Sequence, residues 1–169
     1  MNHEYEEARM GYTHYFSYTP EAPALRSAWL QLRLDTAAIL DFVKKTGVQL
    51  AGSNGHGAPL IDERRISFNG RATEECEDFT FTLDPHERTR RDPFVWDFTK
   101  TNGRPYDMAV TAVLLRAHTL IPDHVAIQSD GSWDADWLEA RAIHNMLFGD
   151  PGMADPFTDT TVGPAVYQR

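Results

Sequence analysis

Residues 94–120 read FVWDFTKTNGRPYDMAVTAVLLRAHTL and join a strand to a helix. Large aromatic side chains alternate with smaller or polar ones at the start, which is typical of a strand over 94–99. Pro105 suits the first turn of a helix and Asp107 suits its positive end, so we predict a helix over about 106–120. This helix is apolar nearly all round and should therefore be the most buried element of the fold.

The rest of the chain carries the same two kinds of pattern. Apolar residues spaced by three and four predict a helix over about 23–46, with Gly47 as its stop. A third helix is expected over 133–148, with Ser132 as its N-cap. Alternation of apolar and polar side chains predicts strands over 11–18, 65–69, 77–83 and 124–128, with a further short strand at 48–51.

The order of these elements is β-α-β-β-β-β-α-β-α, with consecutive strands in the middle. This order favours a two-layer α+β fold, in which a mostly antiparallel β-sheet of about five to six strands carries three main helices on one face. A chain of 169 residues suits a single domain. We place that domain at residues 10–149. Residues 1–9 and 150–169 show little apolar pattern and are expected to be a flexible leader and tail.

The charge balance limits the possible partners. The chain has 25 acidic and 16 basic side chains and a net charge of −9, which argues against binding along a nucleic-acid backbone. About half of that charge lies in the expected leader and tail, so the body remains compatible with a small anionic ligand. No apolar run approaches the ~20 residues of a membrane span, and the N-terminus lacks a signal-peptide pattern. We therefore expect a soluble, cytoplasmic protein without a membrane partner.

Most motifs of known chemistry are absent. The single cysteine, Cys76, excludes an internal disulfide and a Cys-rich zinc site, and its neighbouring glutamates disfavour a reactive thiolate. The histidines show no paired spacing, so no metal and no cofactor are expected. The Gly-rich segment 52–57 lacks the Lys-Ser/Thr of a phosphate-binding loop and predicts a surface loop. The cluster of Arg88, Arg90 and Arg91 predicts a solvated loop, with an anion-binding loop as the alternative.

A group of polar residues stands where predicted strands end and helices begin. Such positions are where a rigid scaffold presents ligand-binding groups. Lys100 is notable because the chain has only three lysines. The candidate ligand-binding residues are Tyr12, His14, Asn69, Asp97, Lys100, Thr101, Tyr106, Asp107, Ser129 and Asp130.

The aromatic residues of the strand at 94–99 invite a second interpretation. Phe94, Trp96 and Phe98 share one face with Lys100 by their spacing of two. A row of this kind belongs more often to a hydrophobic core than to a cofactor site. We therefore predict that these aromatic side chains are buried.

Several short motifs follow one another in a distinctive order: Gly11-Tyr12-Thr13-His14-Tyr15, Phe68-Asn69-Gly70, Asp97-Phe98-Thr99-Lys100-Thr101 with Pro105-Tyr106-Asp107, and Ser129-Asp130-Gly131 with Asp136-Trp137. In this order they resemble an uncharacterised family of small proteins of bacteria and tailed phages. The resemblance runs from Met10 to about Gly149 and implies a phage or mobile-element setting, but no reaction. Where the family pattern has Cys this chain has Thr99, which speaks against a thiol role.

Three functions remain open. The first is a non-catalytic pocket for a small polar, nucleotide-like ligand whose anionic part meets Lys100 and a helix N-terminus, in a phage setting to sequester a host signal. The second is a hydrolase or transferase acting on a phosphorylated or nucleotide substrate, with His14 as general acid or base oriented by Asp97 or Asp130. The third is a protein-interaction or inhibitor module that uses the acidic ends. A homo-oligomer is compatible with each.

Overall fold

The computed structural model of the chain describes residues 11–84 and 94–157. These residues form an α+β fold, as the order of the predicted elements indicates. The strands are β1 Thr13–Tyr18, β2 Leu50–Ala51, β3 Leu60–Ile61, β4 Arg65–Gly70, β5 Phe79–Thr82, β6 Val95–Lys100 and β7 Val125–Ser129. The helices are α1 Pro23–Lys45, α2 Asp107–Leu120 and α3 Leu138–Phe148, with short 3-10 turns at Ser53–Gly55 and Ala72–Glu74.

The strands are antiparallel and divide into two sheets, whereas the sequence predicts one. One sheet has the order β6-β1-β7, and in the other β2, β3 and β5 all pair with β4. The division arises because β4 finds its partners nearby in the chain, while β1 pairs with strands that follow much later. In this register His14 lies opposite both Thr99 and Ser129. The first strand therefore brings three distant parts of the sequence together.

Helix α2 is the most buried helix, as its apolar composition predicts. It contacts both other helices, α1 and α3, and the strand β7 of the three-stranded sheet. Within residues 11–84 and 94–157, no helix combines the length and the apolar run that crossing a membrane requires. The buried side chains of α2 are Ala109, Val110, Thr111, Ala112, Val113, Leu114, Leu115 and Ala117.

The predicted end of α1 is confirmed, and the predicted start of α3 is wrong. After α1, Gly47 has a φ of 99° and donates its N–H to the Lys44 carbonyl at 3.0 Å. Helix α3 begins only at Leu138, because Ser132 does not act as its N-cap. Instead the Asp136 carboxylate accepts the Ser132 N–H at 2.8 Å, and residues 133–137 form turns.

The prediction that the β6 aromatic residues are buried is also wrong. Trp96 is 44% and Phe98 is 43% exposed, while Val95 and Thr99 on the other face of β6 are buried. The register explains this, because Phe98 lies opposite Tyr15 on the outer face of β1. Alternation in a strand identifies two faces, but it does not say which of them the helices cover.

The folded unit extends beyond the predicted boundary at residue 149. Phe157 forms a parallel bridge with Ile127 of β7. Its ring lies edge-on against Trp133 and Trp137, with ring centroids 5.8 and 4.9 Å away. Three predicted features lie outside the described residues: the leader at 1–9, the arginines at 88–91 and the end of the tail at 158–169.

Two alanine substitutions on the same sheet test the assignment of its faces. Phe16→Ala should lower the free energy of unfolding by about 3–5 kcal/mol, because Phe16 is buried on the inner face. Phe98→Ala should lower it by about 1 kcal/mol or less, since the outer face is half-exposed. Urea denaturation measures both, and equal losses would contradict the assignment.

Candidate functional site

His14 is the centre of a hydrogen-bonded cluster at one end of the three-stranded sheet. Its Nδ1 lies 2.8 Å from Ser129 Oγ, and its Nε2 lies 2.6 Å from Asp107 Oδ1. The Thr101 hydroxyl donates to the same Asp107 oxygen at 2.5 Å. His14 is fully buried, whereas the Asp107 side chain is 16% exposed. Asp107 is therefore the member through which His14 can act on a molecule at the surface.

The chain reaches this arrangement through the junction between β6 and α2. After β6, the N–H groups of Thr101 and Asn102 both donate to the Tyr12 carbonyl, at 3.1 and 3.2 Å. The next turn ends with the Asp107 N–H donating to the Arg104 carbonyl at 2.8 Å, where α2 begins. The Asp107 carboxylate then suits the positive end of the helix. Strand pairing and helix capping thus converge on His14.

The hydrogen bonds around Ser129 fix the tautomer of His14. Ser129 Oγ accepts the Gly131 N–H at 2.9 Å and the Trp137 indole N–H at 3.0 Å. A hydroxyl oxygen has two lone pairs, so Ser129 has only its own proton left to give, and His14 Nδ1 accepts it. His14 therefore carries its proton on Nε2 and donates it to Asp107. Hydrogen bonds run in one direction, from Trp137 through Ser129 and His14 to Asp107.

Aromatic rings enclose the cluster. The rings of Tyr12 and Trp137 meet the His14 ring edge-on, with centroids 5.0 and 5.4 Å away. Close packing beside them requires a glycine at position 131, because a Cβ there would lie 2.1 Å from the Tyr12 hydroxyl and 2.9 Å from Asp136 Cβ. The enclosure keeps water from His14 and strengthens its hydrogen bonds.

A groove of about 500 Å³ opens beside Asp107. One part of its lining is apolar and is formed by Pro105, Met108 and Leu138. Leu138 is 52% exposed and contributes apolar surface to this lining. The charged part of the lining consists of Arg104, Asp107, Asp136 and Glu139, with Tyr12 at its edge. Three carboxylates thus face a single guanidinium.

Six of the ten predicted site residues lie at this end of the molecule. Asp130 supports the cluster, since its carboxylate accepts the Thr13 N–H at 3.0 Å and its own N–H donates to the Thr13 carbonyl. The six are Tyr12, His14, Thr101, Asp107, Ser129 and Asp130.

Lys100 and Asp97 do not join them. Lys100 lies on the outer face of the sheet opposite Thr13. Its main-chain N–H donates to Glu77 Oε2 at 2.8 Å. Asp97 accepts the N–H of its neighbour Phe98 at 2.8 Å. The predicted contact of Lys100 with an anionic ligand in the His14 pocket therefore has no geometric basis.

Asn69 and Tyr106 have structural roles. Asn69 is buried and binds the Cys76 main chain through both its carbonyl oxygen and its NH₂ group, which also donates to Asp78 at 2.7 Å. Tyr106 is buried and donates to the Glu77 carbonyl at 2.7 Å. Burial raises the pKa of the Tyr106 phenol, so it stays neutral.

Sequence patterns miss several residues of the site. Trp137 and Gly131 stand in the quoted motifs, but their residue types predict no role, and Arg104 and Glu139 look like ordinary surface charges. Their only sequence signal is position, because each lies within a few residues of a predicted strand end or helix start.

A second buried polar network is also missed. Arg116 Nε lies 2.7 Å from Asp35 Oδ2, and its guanidinium lies 4.0 Å from the centroid of the Phe148 ring. Another nitrogen of Arg116 is 3.4 Å from His144 Nε2. Burial, followed by the neighbouring Arg116 charge, lowers the pKa of His144. The signal in the sequence is Asp35, a charged residue beside the apolar stripe of α1.

Known proteins provide no further guide. No protein-family model, curated protein sequence or solved structure matches the chain. Within residues 11–84 and 94–157, no three His, Cys, Asp or Glu side chains come together as metal ligands would.

The direction of the hydrogen bonds through Ser129 can be tested directly. Long-range ¹H–¹⁵N correlation spectra at neutral pH should show His14 protonated on Nε2 only. Ser129→Ala should lower the free energy of unfolding by about 2–4 kcal/mol, because two buried donors lose their acceptor. Ser17→Ala, on the outer face of the same sheet, is the control and should change it by less than about 0.5 kcal/mol. A proton on Nδ1 would refute the assignment.

The His144 network predicts a pH dependence of stability. Because its pKa is lower in the folded protein than the ordinary value of about 6.5, protonation favours the unfolded chain. The stabilisation is complete above about pH 6.5 and declines as the pH falls below that value. Chemical denaturation between pH 5 and 8 should show a smaller decline for His144→Gln than for wild type. His124→Gln, at an exposed position, should retain the full decline, and identical profiles for all three proteins would contradict this role.

Proposed function

We propose that the protein binds a small polar ligand in the groove beside Asp107 without transforming it. The observation that carries this proposal is the buried chain of hydrogen bonds that ends on Asp107, the carboxylate shared by cluster and groove. A carboxylate fixed in this way is a preorganised acceptor, and preorganisation reduces the cost of ordering a site on binding. The groove volume also falls within the usual range of ligand sites.

The motifs give further support. Three of the motifs quoted above meet in this cluster, which contains His14, Thr101, Asp107, Ser129 and Trp137. If the resemblance to the bacterial and phage family reflects common ancestry, then capture of a host signal molecule is the use we propose for such a binder.

The sequence leads us to expect a nucleotide-like ligand, and the charges of the groove limit which members of that class can bind. Three carboxylates oppose a ligand that carries several phosphates, because each would add repulsion near the site. A nucleoside fits better, since the amino group of its base can donate to a carboxylate and its ring can lie against Tyr12.

Catalysis by His14 is the second candidate function. Ser129, His14 and Asp107 form a hydrogen-bonded line of the type that activates a nucleophile. However, both lone pairs of Ser129 accept N–H donors, and His14 is fully buried. Binding therefore has better support than acyl or phosphoryl transfer. The third candidate, an interaction module that uses the acidic ends, concerns residues that are largely outside the described chain.

A thermal-shift panel tests the proposal. Nucleosides should raise the Tm by several degrees, because a ligand at a hundredfold excess over its Kd stabilises the folded state by about 2.7 kcal/mol. Nucleoside triphosphates should raise it less. Asp107→Asn should weaken binding about tenfold or more by removing a charged acceptor, while Asp123→Asn, at an exposed position outside the groove lining, should not.

Mass analysis of the recovered ligand separates binding from catalysis. Intact ligand after incubation and heat release supports binding, whereas a changed product that disappears with His14→Ala supports the enzyme. No shift from any compound, and no small molecule released from the purified protein, would end the proposal.

A further inference from the structure

The geometry points to an organic cation as the ligand of this groove: an ammonium, amidinium or guanidinium group on a compact apolar body. The inference rests on the proposed function and deepens it: among the small ligands that the groove can hold, one with a positive charge binds more tightly than a neutral one such as a nucleoside. The cationic group binds the Asp107 carboxylate, and the apolar body covers Met108 and Leu138.

The hydrogen bonds of Asp107 set the polarity of the site. Among the described residues, the two hydrogen bonds to its side chain come from His14 and Thr101 and both end on Oδ1. Asp107 is thus an anion held by two donors, with Oδ2 as the acceptor that it can offer to the groove. A carboxylate only accepts hydrogen bonds, so its partner must carry N–H or O–H donors. Because the chain of donors starts at Trp137, this polarity cannot reverse without breaking buried hydrogen bonds.

The electrostatic balance favours a positive charge on that partner. The lining holds Asp107, Asp136 and Glu139 against Arg104. The Asp136 carboxylate is held at the groove by the N–H and the hydroxyl of Ser132, at 2.8 and 3.3 Å. The positive end of α2 does not attract a further anion, because Asp107 already occupies it. A cation is therefore attracted to the groove and an anion is repelled from it.

The apolar wall requires a body as well as a charge. Leu138 is half-exposed and lines the groove together with Met108 and Pro105. Methionine adapts its shape to different apolar partners, and covering exposed apolar surface is favourable by about 25 cal/mol per Å². A bare inorganic cation would leave this wall uncovered. A cation attached to a ring or a short hydrocarbon chain satisfies both parts of the site.

Three molecules of the same shape and different charge separate these contributions. Benzamidine, benzamide and benzoate have charges of +1, 0 and −1 on the same phenyl body. In a calorimetric or NMR titration of the full chain, benzamidine should bind about tenfold or more tightly than benzamide, as expected for a charge-assisted hydrogen bond. Benzoate should show no binding, and added salt should weaken the binding of benzamidine.

Variants locate the effect in the groove. Asp107→Asn should reduce benzamidine affinity about tenfold, to the level of benzamide. Glu139→Gln changes an exposed side chain and should not affect folding, and a loss of about two- to threefold is expected from one screened charge. Glu63→Gln is the matched control, exposed and outside the groove lining, and its affinity for benzamidine should equal that of wild type.

The outcomes distinguish this inference from the proposed function. Equal binding of all three probes, tighter binding of benzoate, or an unchanged affinity in Glu139→Gln would overturn the cation inference. If neutral nucleosides bind in the groove and benzamidine does not, the proposed function stands and the inference fails. If neither class binds, both fail.

Discussion

The hydrogen bond between His14 Nε2 and Asp107 Oδ1 is the interaction on which the rest of the site depends. It joins the middle strand of one sheet to the first residue of the most buried helix. Because His14 is fully buried, removing either partner would leave a polar group without water and without an acceptor or donor. The contact therefore ties the start of α2, which borders the groove, to the middle of the sheet.

The rest of the cluster explains why such a bond is stable in the interior. Ser129 and Thr101 satisfy the remaining polar atoms, and the Tyr12 and Trp137 rings cover them. A polar network inside a protein is favourable only when every member is paired. Here each N–H or O–H group from Trp137 through Ser129 and His14 donates to the next member, and the last acceptor is Asp107. The same completeness makes Asp107 a fixed anion. The same hydrogen bonds therefore stabilise the fold and fix the carboxylate that we propose binds the ligand.

The sequence predicts this fold better than it predicts the site. The three helices and the α+β class follow from local periodicity, and the inward face of β1 is apparent in His14, Phe16 and Tyr18. Periodicity does not reveal which face of β6 is covered, so the prediction that Phe98 is buried is wrong. It also does not reveal that Lys100 lies across the sheet from His14, because that depends on register between distant strands. Trp137 is missed because it lies in the turn before α3, and no periodicity indicates that its indole N–H reaches Ser129.

The two edges of the three-stranded sheet are covered by other groups of the chain, whereas its outer face exposes aromatic side chains. At one edge the N–H groups of Phe98 and Lys100 are held by the carboxylates of Asp97 and Glu77, and at the other Phe157 bridges to β7. Any strand from another molecule would first have to displace these carboxylates, at roughly 1.5–3 kcal/mol each. The protein can thus expose aromatic side chains on this sheet while resisting growth into the extended intermolecular sheets of aggregates.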